Sequence, residues 1–586
     1  MIVSDFGGKN EPTGANVIRY KAHYIVESEW IDENSVSNDY DYESNEGVIV
    51  LKDGVTEIGE GAFTDSFDIV SVEIPNTITT IGMGAFAYSV ISSVVIPNSV
   101  TEICEGAFNG CDELKSIYIP ASVERIGVEA FLNCTKLNSI EVDKSNLVYD
   151  SRENCNAIIE TKTNKLLFGC KNAFILNSIN EIEDGAFYCC EGLKSAVIPD
   201  SVRRIGECAF YACYGLKSIV IPSSVMRIGN GAFYECCMLD SIEVDRNNVV
   251  YDSRQNCNAI IATRTNELIA GCVNSFIPEG VTKIAVGAFG GCDRLTTIDI
   301  PDSVESIGEN AFCTCYRLTE VKILGNLTEI ADGAFTKCGE LRNLNFPESL
   351  RRIGVSAFYD CNNLLSLNIS RYVEEIGEGA FMGCGGLKSI VVDDHNPYYD
   401  SRENCNALIE TQTDILLAGS ENAVIPDSVT EIAIGAFMKC SGLKSINIPD
   451  SVTKIGEMAF YCCEGLTSLV IPNSVTEIGH DAFNDCFGLT SVSLPYSLTE
   501  ISDNMFWQCK SLKSVVIPNS VTRIGKTAFW GCTGLETVII PYSVTEIGED
   551  VFAECDSLRS ITVPRGMTYL FKEMLDEKLW DKLVEK

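Results

Sequence analysis

Apolar and polar positions return in the same order about every 23 residues along most of this chain. One unit reads Leu114-Lys115-Ser116-Ile117-Tyr118-Ile119-Pro120, then Ala121-Ser122-Val123-Glu124-Arg125-Ile126-Gly127, then Ala130-Phe131 and Cys134. The Leu-x-x-Ile-x-Ile portion alternates as a short strand with one buried face. Proline ends it by removing a backbone donor and fixing φ. Val123, Ile126, Ala130, Phe131 and Cys134 then supply the inward-facing residues of a return path, and glycine before the Ala-Phe pair permits a tight turn. The Phe position recurs at 63, 86, 108, 131, 187, 210, 233, 289, 312, 335, 358, 381, 437, 460, 483, 506, 529 and 552. Of the seventeen intervals, thirteen are 23 residues, one is 22 and three are 56, a regularity that unrelated globular domains would not produce. No unit can bury its apolar set alone, so the pattern predicts one stacked solenoid.

Each 56-residue interval is an ordinary repeat followed by one enlarged coil, near 141–176, 243–278 and 391–426. In the first, Ile140-Glu141-Val142 precedes Tyr149-Asp150-Ser151-Arg152, then Asn156 to Glu160, a Thr161-Lys162-Thr163-Asn164 turn, and Leu166-Leu167-Phe168. Apolar runs around a polar turn predict a β-hairpin projecting from the solenoid. The total is about 21 coils over residues 51–566. Residues 1–50 form an expected N-terminal cap region in which Ile18, Tyr20, Ala22, Tyr24 and Val26 alternate as a strand. Met567, Leu570, Phe571, Met574, Leu575, Leu579 and Leu583 follow helical spacing, and predict an amphipathic capping helix over 567–586.

These residues resemble the BspA-like leucine-rich repeat proteins, whose units carry Leu-x-x-Ile-x-Ile-Pro-x-Ser-Val-x-x-Ile-Gly-x-x-Ala-Phe-x-x-Cys. The resemblance covers roughly residues 51 to 564. It implies a mainly β, right-handed leucine-rich-repeat solenoid, and, since the family includes surface proteins of bacteria and protists, binding to host proteins or other cells rather than catalysis.

Charge narrows the partners. The 44 Lys and Arg against 82 Asp and Glu give a net charge of −38, a poor match to nucleic acid or anionic membrane, whose binding draws on Lys and Arg. The start, Met1 to Gly8, lacks a basic region followed by an apolar run, and no stretch approaches 18 uninterrupted apolar residues, so neither a leader nor membrane insertion is expected. A protein ligand and a monomeric state are the expectations.

The 27 cysteines look like a disulfide framework until set against the period. Sixteen fall three residues after the repeat Phe, from Cys111 and Cys134 to Cys532 and Cys555, which points to a buried, weakly polar core slot and to reduced thiols. Cys155 with Cys170 and Cys257 with Cys272 are matched by Cys405 with Ser420, so an essential disulfide there is not expected. There is no Cys-x-x-Cys, and His23, His395 and His480 lie far apart in coil order, so no metal site, cofactor or catalytic triad is signalled. Gly-x-Gly, as in Gly59-Glu60-Gly61, lacks the third glycine and helix of a phosphate loop. A polysaccharide-active enzyme would need paired carboxylates, but Glu73, Glu141, Glu243 and Asp299 sit on non-adjacent coils.

Surface slots project into columns. Lys115, Lys194, Lys217, Lys388, Lys444 and Lys513 edge a sheet of small and mildly apolar residues, a candidate partner-binding face. Ten of 18 units place Asp or Glu three residues before Phe, an acidic ridge. Distinctive groups occur in the enlarged coils: Tyr149, Asp150 and Arg152, repeated as Tyr251, Asp252 and Arg254, and as Tyr399, Asp400 and Arg402. Tyr and Arg are frequent at binding hot spots. The opposing reading is that Tyr packs under the hairpin while Asp and Arg pair to fix its turn. The leading function is non-enzymatic adhesion or protein recognition. An intracellular interaction scaffold, suggested by the missing leader and reduced-looking cysteines, is the alternative.

Overall fold

The computed structural model describes residues 16–586. The first fifteen residues of the expected N-terminal cap region, with the Met1 to Gly8 start, lie outside the described residues. The chain is mainly β and arranged as a β-solenoid of about 23 turns, near the 21 counted from sequence. It divides into two compact units. The first holds residues up to 264 with 270–274, and the second holds 265–269 with 275–586.

Within each unit the coils meet along three lines of backbone hydrogen bonds. Long strands pair in parallel, as Ser116–Ile119 with Ser139–Val142 in the first unit and Ser366–Ile369 with Ser389–Val392 in the second. Two-residue strands on the return path pair likewise, Glu102–Ile103 with Arg125–Ile126 and Glu329–Ile330 with Arg352–Ile353. At the third line the Phe108 N–H donates to the Ala130 carbonyl and the Phe335 N–H to the Ala357 carbonyl, both at 2.8 Å. Buried backbone groups are thus paired from coil to coil. Because the register is constant, like side chains stack. Phe63, Phe86, Phe108 and Phe131 are parallel with centroids 5.0 to 5.5 Å apart, and Phe289 to Phe381 repeat this at 4.9 to 5.6 Å.

Glycine directly before Ala-Phe makes the expected turn, as at Gly61 (φ 60) and Gly106 (φ 59), while the glycine that follows Ile has a further part. A Cβ on Gly127 would lie 2.3 Å from the backbone nitrogen of Glu105 in the coil before, so this glycine lets coils approach. The left-handed residue comes two positions later and accepts either type, Gly106 (φ 59) or Glu129 (φ 58).

The enlarged coils also differ from a projecting hairpin. Tyr149–Asp150 pairs antiparallel with Ala157–Glu160, which pairs antiparallel with Lys165–Gly169, and Lys165–Gly169 continues in parallel to Glu181–Ile182 of the next coil. Ala157, Ile158, Ile159 and Leu166 are fully buried, and Phe168 meets Phe131 edge-on at 5.6 Å. A hairpin with this much apolar surface is stable only inside the stack. Ala407–Glu410 and Ile415–Gly419 repeat the arrangement in the second unit.

At the start, β1 (Val17–Ala22) lies antiparallel to the first long strand, Ile69–Glu73. It is followed by α1 (Glu29–Asn34), β2 (Ser35–Asp41) and β3 (Glu46–Leu51), the last paired with both β1 and β2. Trp30 of α1 packs against Phe63 at 6.2 Å. At the other end the expected helix is shorter. α2 spans Thr568–Met574, a 3-10 turn follows over Glu577–Lys582, and Leu583–Glu585 adds in parallel to Ser560–Val563. The open edge of the last long strand pairs with the chain end, which outweighs the helical spacing of Leu579 and Leu583. Phe571 is fully buried against the last coil. Deleting 567–586 exposes that surface and edge, and should cause aggregation or a lower melting temperature in calorimetry and light scattering. A truncated chain that stays equally stable and monomeric would contradict this.

Candidate binding surfaces

Because every coil repeats the same backbone, each surface slot becomes a column. The lysines expected on the sheet edge, Lys115, Lys194 and Lys217 in the first unit and Lys388, Lys444 and Lys513 in the second, are all exposed. Lys388 reaches Glu421 at 3.7 Å. Beside them the sheet exposes apolar side chains, among them Val197 and Val220 in the first unit and Val391, Val470, Val516 and Ile539 in the second.

The enlarged coils assemble their repeated residues into a fixed cluster. Tyr149, Tyr251 and Tyr399 are buried, and their hydroxyls accept the N–H of Ile126, Ile228 and Ile376 at 3.0, 2.9 and 2.8 Å. Burial raises the pKa of each phenol, so all three remain neutral donors-acceptors. Arg152 grips Asp150 through Nε at 2.7 Å and Nη2 at 2.5 Å and donates from Nη1 to Asn164 Oδ1 at 3.1 Å. Arg254 grips Asp252 in the same way, and Arg402 grips Asp400 while also bonding Asp414 and Ser428. Burial raises the Asp150 carboxyl, but the bonds from Arg152 outweigh it and leave the pKa lowered. The tyrosines are therefore anchors under the hairpin, out of a partner's reach, and the Asp-Arg pairs brace the turn beside them. Changing Arg152, Arg254 and Arg402 together to Ala should lower stability by about 1–2 kcal/mol at each coil in denaturant titration, since a half-buried carboxylate loses its partner. An unchanged unfolding midpoint would contradict the bracing role.

A charged column went unread in the sequence. Six residues before Phe, oppositely charged residues alternate between adjacent coils: Glu102 with Arg125 at 2.6 Å, Glu181 with Arg204 at 2.8 Å, and Arg352 between Glu329 and Glu375 at 2.9 and 3.4 Å. Its signal, Glu and Arg exchanging before Ile-Gly, was present at the same period. Part of the acidic ridge is structural as well. Asp332 accepts the Val355 N–H of the next coil at 3.0 Å and Asp503 accepts the Lys526 N–H at 2.9 Å.

The cysteine slot has a defined bond. Cys134 Sγ donates to the Phe108 carbonyl of the preceding coil at 3.2 Å, and the same contact recurs at 3.1 to 3.2 Å for Cys213, Cys338, Cys361, Cys463, Cys509 and Cys532. The carbonyl's other lone pair takes the N–H of its own coil's cysteine, as Cys111 to Phe108 at 3.2 Å. None of the 27 cysteines is joined in a disulfide.

Residues suited to catalysis stay apart. His23, His395 and His480 are exposed at separate places, and His395 lies beside Asp393 at 3.3 Å. Glu141 lies next to Tyr118, Glu243 next to Val220 and Asp299 next to Lys322. Among the described residues no group of three or more His, Cys, Asp or Glu is placed to hold a metal ion, and no helix is long and apolar enough to cross a membrane.

Stacked coils whose longer strands pair in parallel around an inward-facing Leu-Ile-Phe-Cys set define a leucine-rich-repeat solenoid. The model of the BspA type leucine rich repeat region matches residues 35–159, 163–261, 272–405, 419–536 and 454–578, and the chain belongs to that family. It is a repeat protein of a protein-binding kind, in a family that is typically non-enzymatic. Among solved structures it is similar to a leucine rich cell surface protein of Faecalibacterium prausnitzii, at 27% identity over 67% of this chain and 85% of that one, with a TM-score of 0.40. A leucine-rich repeat protein of Bacteroides ovatus matches at 22% identity over 94% and 98%, TM-score 0.30. The pneumococcal vaccine antigen PcpA matches at 20% over 70% and 86%, TM-score 0.35. No curated protein matches the chain.

Proposed function

We propose that the chain is a non-enzymatic adhesion or recognition protein that holds a protein ligand on the long-strand faces of its coils. The observation that carries this reading is the pairing of columns there. Exposed lysines lie beside exposed valines of the same coil, Lys217 with Val220 and Lys513 with Val516, a polar rim along an apolar strip. The buried slots are consumed by packing, which leaves recognition to the exposed ones. The test is capture of extracellular-matrix and cell-surface proteins on the immobilised chain. Changing Lys115, Lys194, Lys217, Lys388, Lys444 and Lys513 to Glu should abolish capture with the melting temperature unchanged. Capture that survives all six changes removes the lysines from the reading.

A second reading is an intracellular interaction scaffold. It is favoured by 27 cysteines none of which is joined in a disulfide, since thiols persist in reducing compartments. Cell fractionation separates the two.

A further inference from the structure

The repeat supplies its own control for which exposed residues serve the fold. Thirteen residues after the repeat Phe, coil after coil carries a polar, charged or small residue, as at Asp200, Asp302, Asp450, Asn473 and Asn519. Only two coils place an aromatic residue there, Tyr496 and Tyr542, and they stand two coils apart with Asn519 between. Their side chains are 76% and 67% exposed, so they add little to the core. The two tyrosines line one cleft of about 320 Å³, together with Val516, Pro518, Ile539 and Pro541. Val516 and Ile539 are themselves 60% and 42% exposed. Exposed apolar surface of this kind marks interaction sites.

The cleft's chemistry selects an occupant. In a chain of net charge −38, no Asp or Glu lines it, and Lys586 is the one residue with a charged side chain in its lining. An uncharged apolar ligand fits. The strands that carry Val516 and Ile539 pair in parallel, Ser514–Val516 with Thr537–Ile539. At about 4.7–4.9 Å per parallel strand, two coils span about 9.5 Å. A polyproline II segment rises about 3.1 Å per residue and so repeats every three residues over about 9.3 Å. Its backbone makes no internal hydrogen bonds, leaving carbonyls free for donors such as the two phenol hydroxyls and the exposed Asn519 amide at the rim. Aromatic-lined grooves recognise proline-rich chains by this combination of ring slots and rim donors.

We propose that the cleft between Tyr496 and Tyr542 docks an extended proline-rich segment of a protein partner, with a proline ring seated between the two tyrosines over Val516 and Ile539. The proposal rests on the reading of the coil faces as protein-binding surfaces and names the chemistry of one partner segment.

The test uses the full chain and two probes, decaproline and the uncharged oligosaccharide cellohexaose, since a sugar ring also stacks on tyrosine. Each is titrated while methyl and aromatic NMR signals are followed. Decaproline is expected to shift the Val516 and Ile539 methyl signals. The double change Tyr496→Asn and Tyr542→Asn, which installs the residue of the neighbouring coils, should weaken decaproline at least tenfold with no change in melting temperature. Asn519→Trp, which fills the gap, should do the same. Equal decaproline affinity in the wild type and the double variant, no binding at millimolar decaproline, or tighter binding of cellohexaose would overturn the proposal. Decaproline binding is read without any natural partner, so its failure leaves the lysine-dependent capture standing, and failed capture leaves the decaproline result standing.

Discussion

Raising the pH from 8 to 10 is expected to unfold the solenoid, and the cause lies in the cysteine column. Burial raises the thiol pKa to about 12 for Cys111, Cys236, Cys440 and Cys555, and well above the ordinary thiol value for Cys338, Cys361, Cys463 and Cys509. An unfolded thiol ionises near about 8.5. Above that pH the unfolded chain gives up protons that the folded chain keeps, so stability is fully present below about 8.5 and falls as pH rises toward the folded values. Each buried thiol contributes a loss of about 1.4 kcal/mol per pH unit in that window. Many such thiols share one column, so the transition should be steep. Circular dichroism against pH should show it. Changing Cys463, Cys486, Cys509 and Cys532 together to Ser should move the midpoint upward, because serine does not ionise there and already fills this slot at Ser89, whose hydroxyl donates to the Phe86 carbonyl at 2.7 Å. A denaturation midpoint that is flat from pH 8 to 10 would show that the column is not buried as described.

Phe335→Ala should cost about 3–5 kcal/mol, the range for removing a fully buried aromatic ring. Phe335 lies between Phe312 at 5.1 Å and Phe358 at 5.3 Å, nearly parallel to both. Its removal leaves a cavity that neighbouring coils cannot close without breaking their backbone register, since Phe335 N–H is tied to Ala357. Coils depend on nearest neighbours, so the loss weakens coupling on both sides of the gap. In urea titrations the midpoint should fall sharply for Phe335→Ala. Tyr316→Ala, at a side chain 52% exposed, should change stability by no more than about 0.5 kcal/mol. Equal effects at the two positions would contradict the stacked-ring core.

Most of the repeat was legible because a constant period forces like residues onto one another. The Phe stack, the buried cysteines and the parallel strands all follow from position relative to Phe. What escaped depended on contacts between coils. Gly127 reads as a turn glycine within its unit, and only the proximity of Glu105 in the preceding coil shows its role. The hairpin of the first enlarged coil reads as free until Lys165–Gly169 is seen to pair with Glu181–Ile182. Leu579 and Leu583 fit a helix by spacing, but the unpaired edge at Ser560–Val563 draws the chain into a strand. In the enlarged coils, Tyr and Arg have the composition of a hot spot, whereas their recurrence in threes reflects the hydrogen bonds from Ile126, Ile228 and Ile376 that each hairpin must satisfy. Tyr496 and Tyr542 were visible as departures from the period, but their shared cleft was not.

The division of labour between buried slots that build the coils and exposed slots that bind is tested most directly at the cysteines. Thiols are counted with a chromogenic disulfide reagent without reductant, before and after denaturation. All 27 should react once the chain is denatured. In the native chain the fast fraction should be confined to the partly exposed Cys104, Cys189, Cys208, Cys237 and Cys462. Finding ten or more disulfides, or rapid native reaction of the column cysteines, would contradict it.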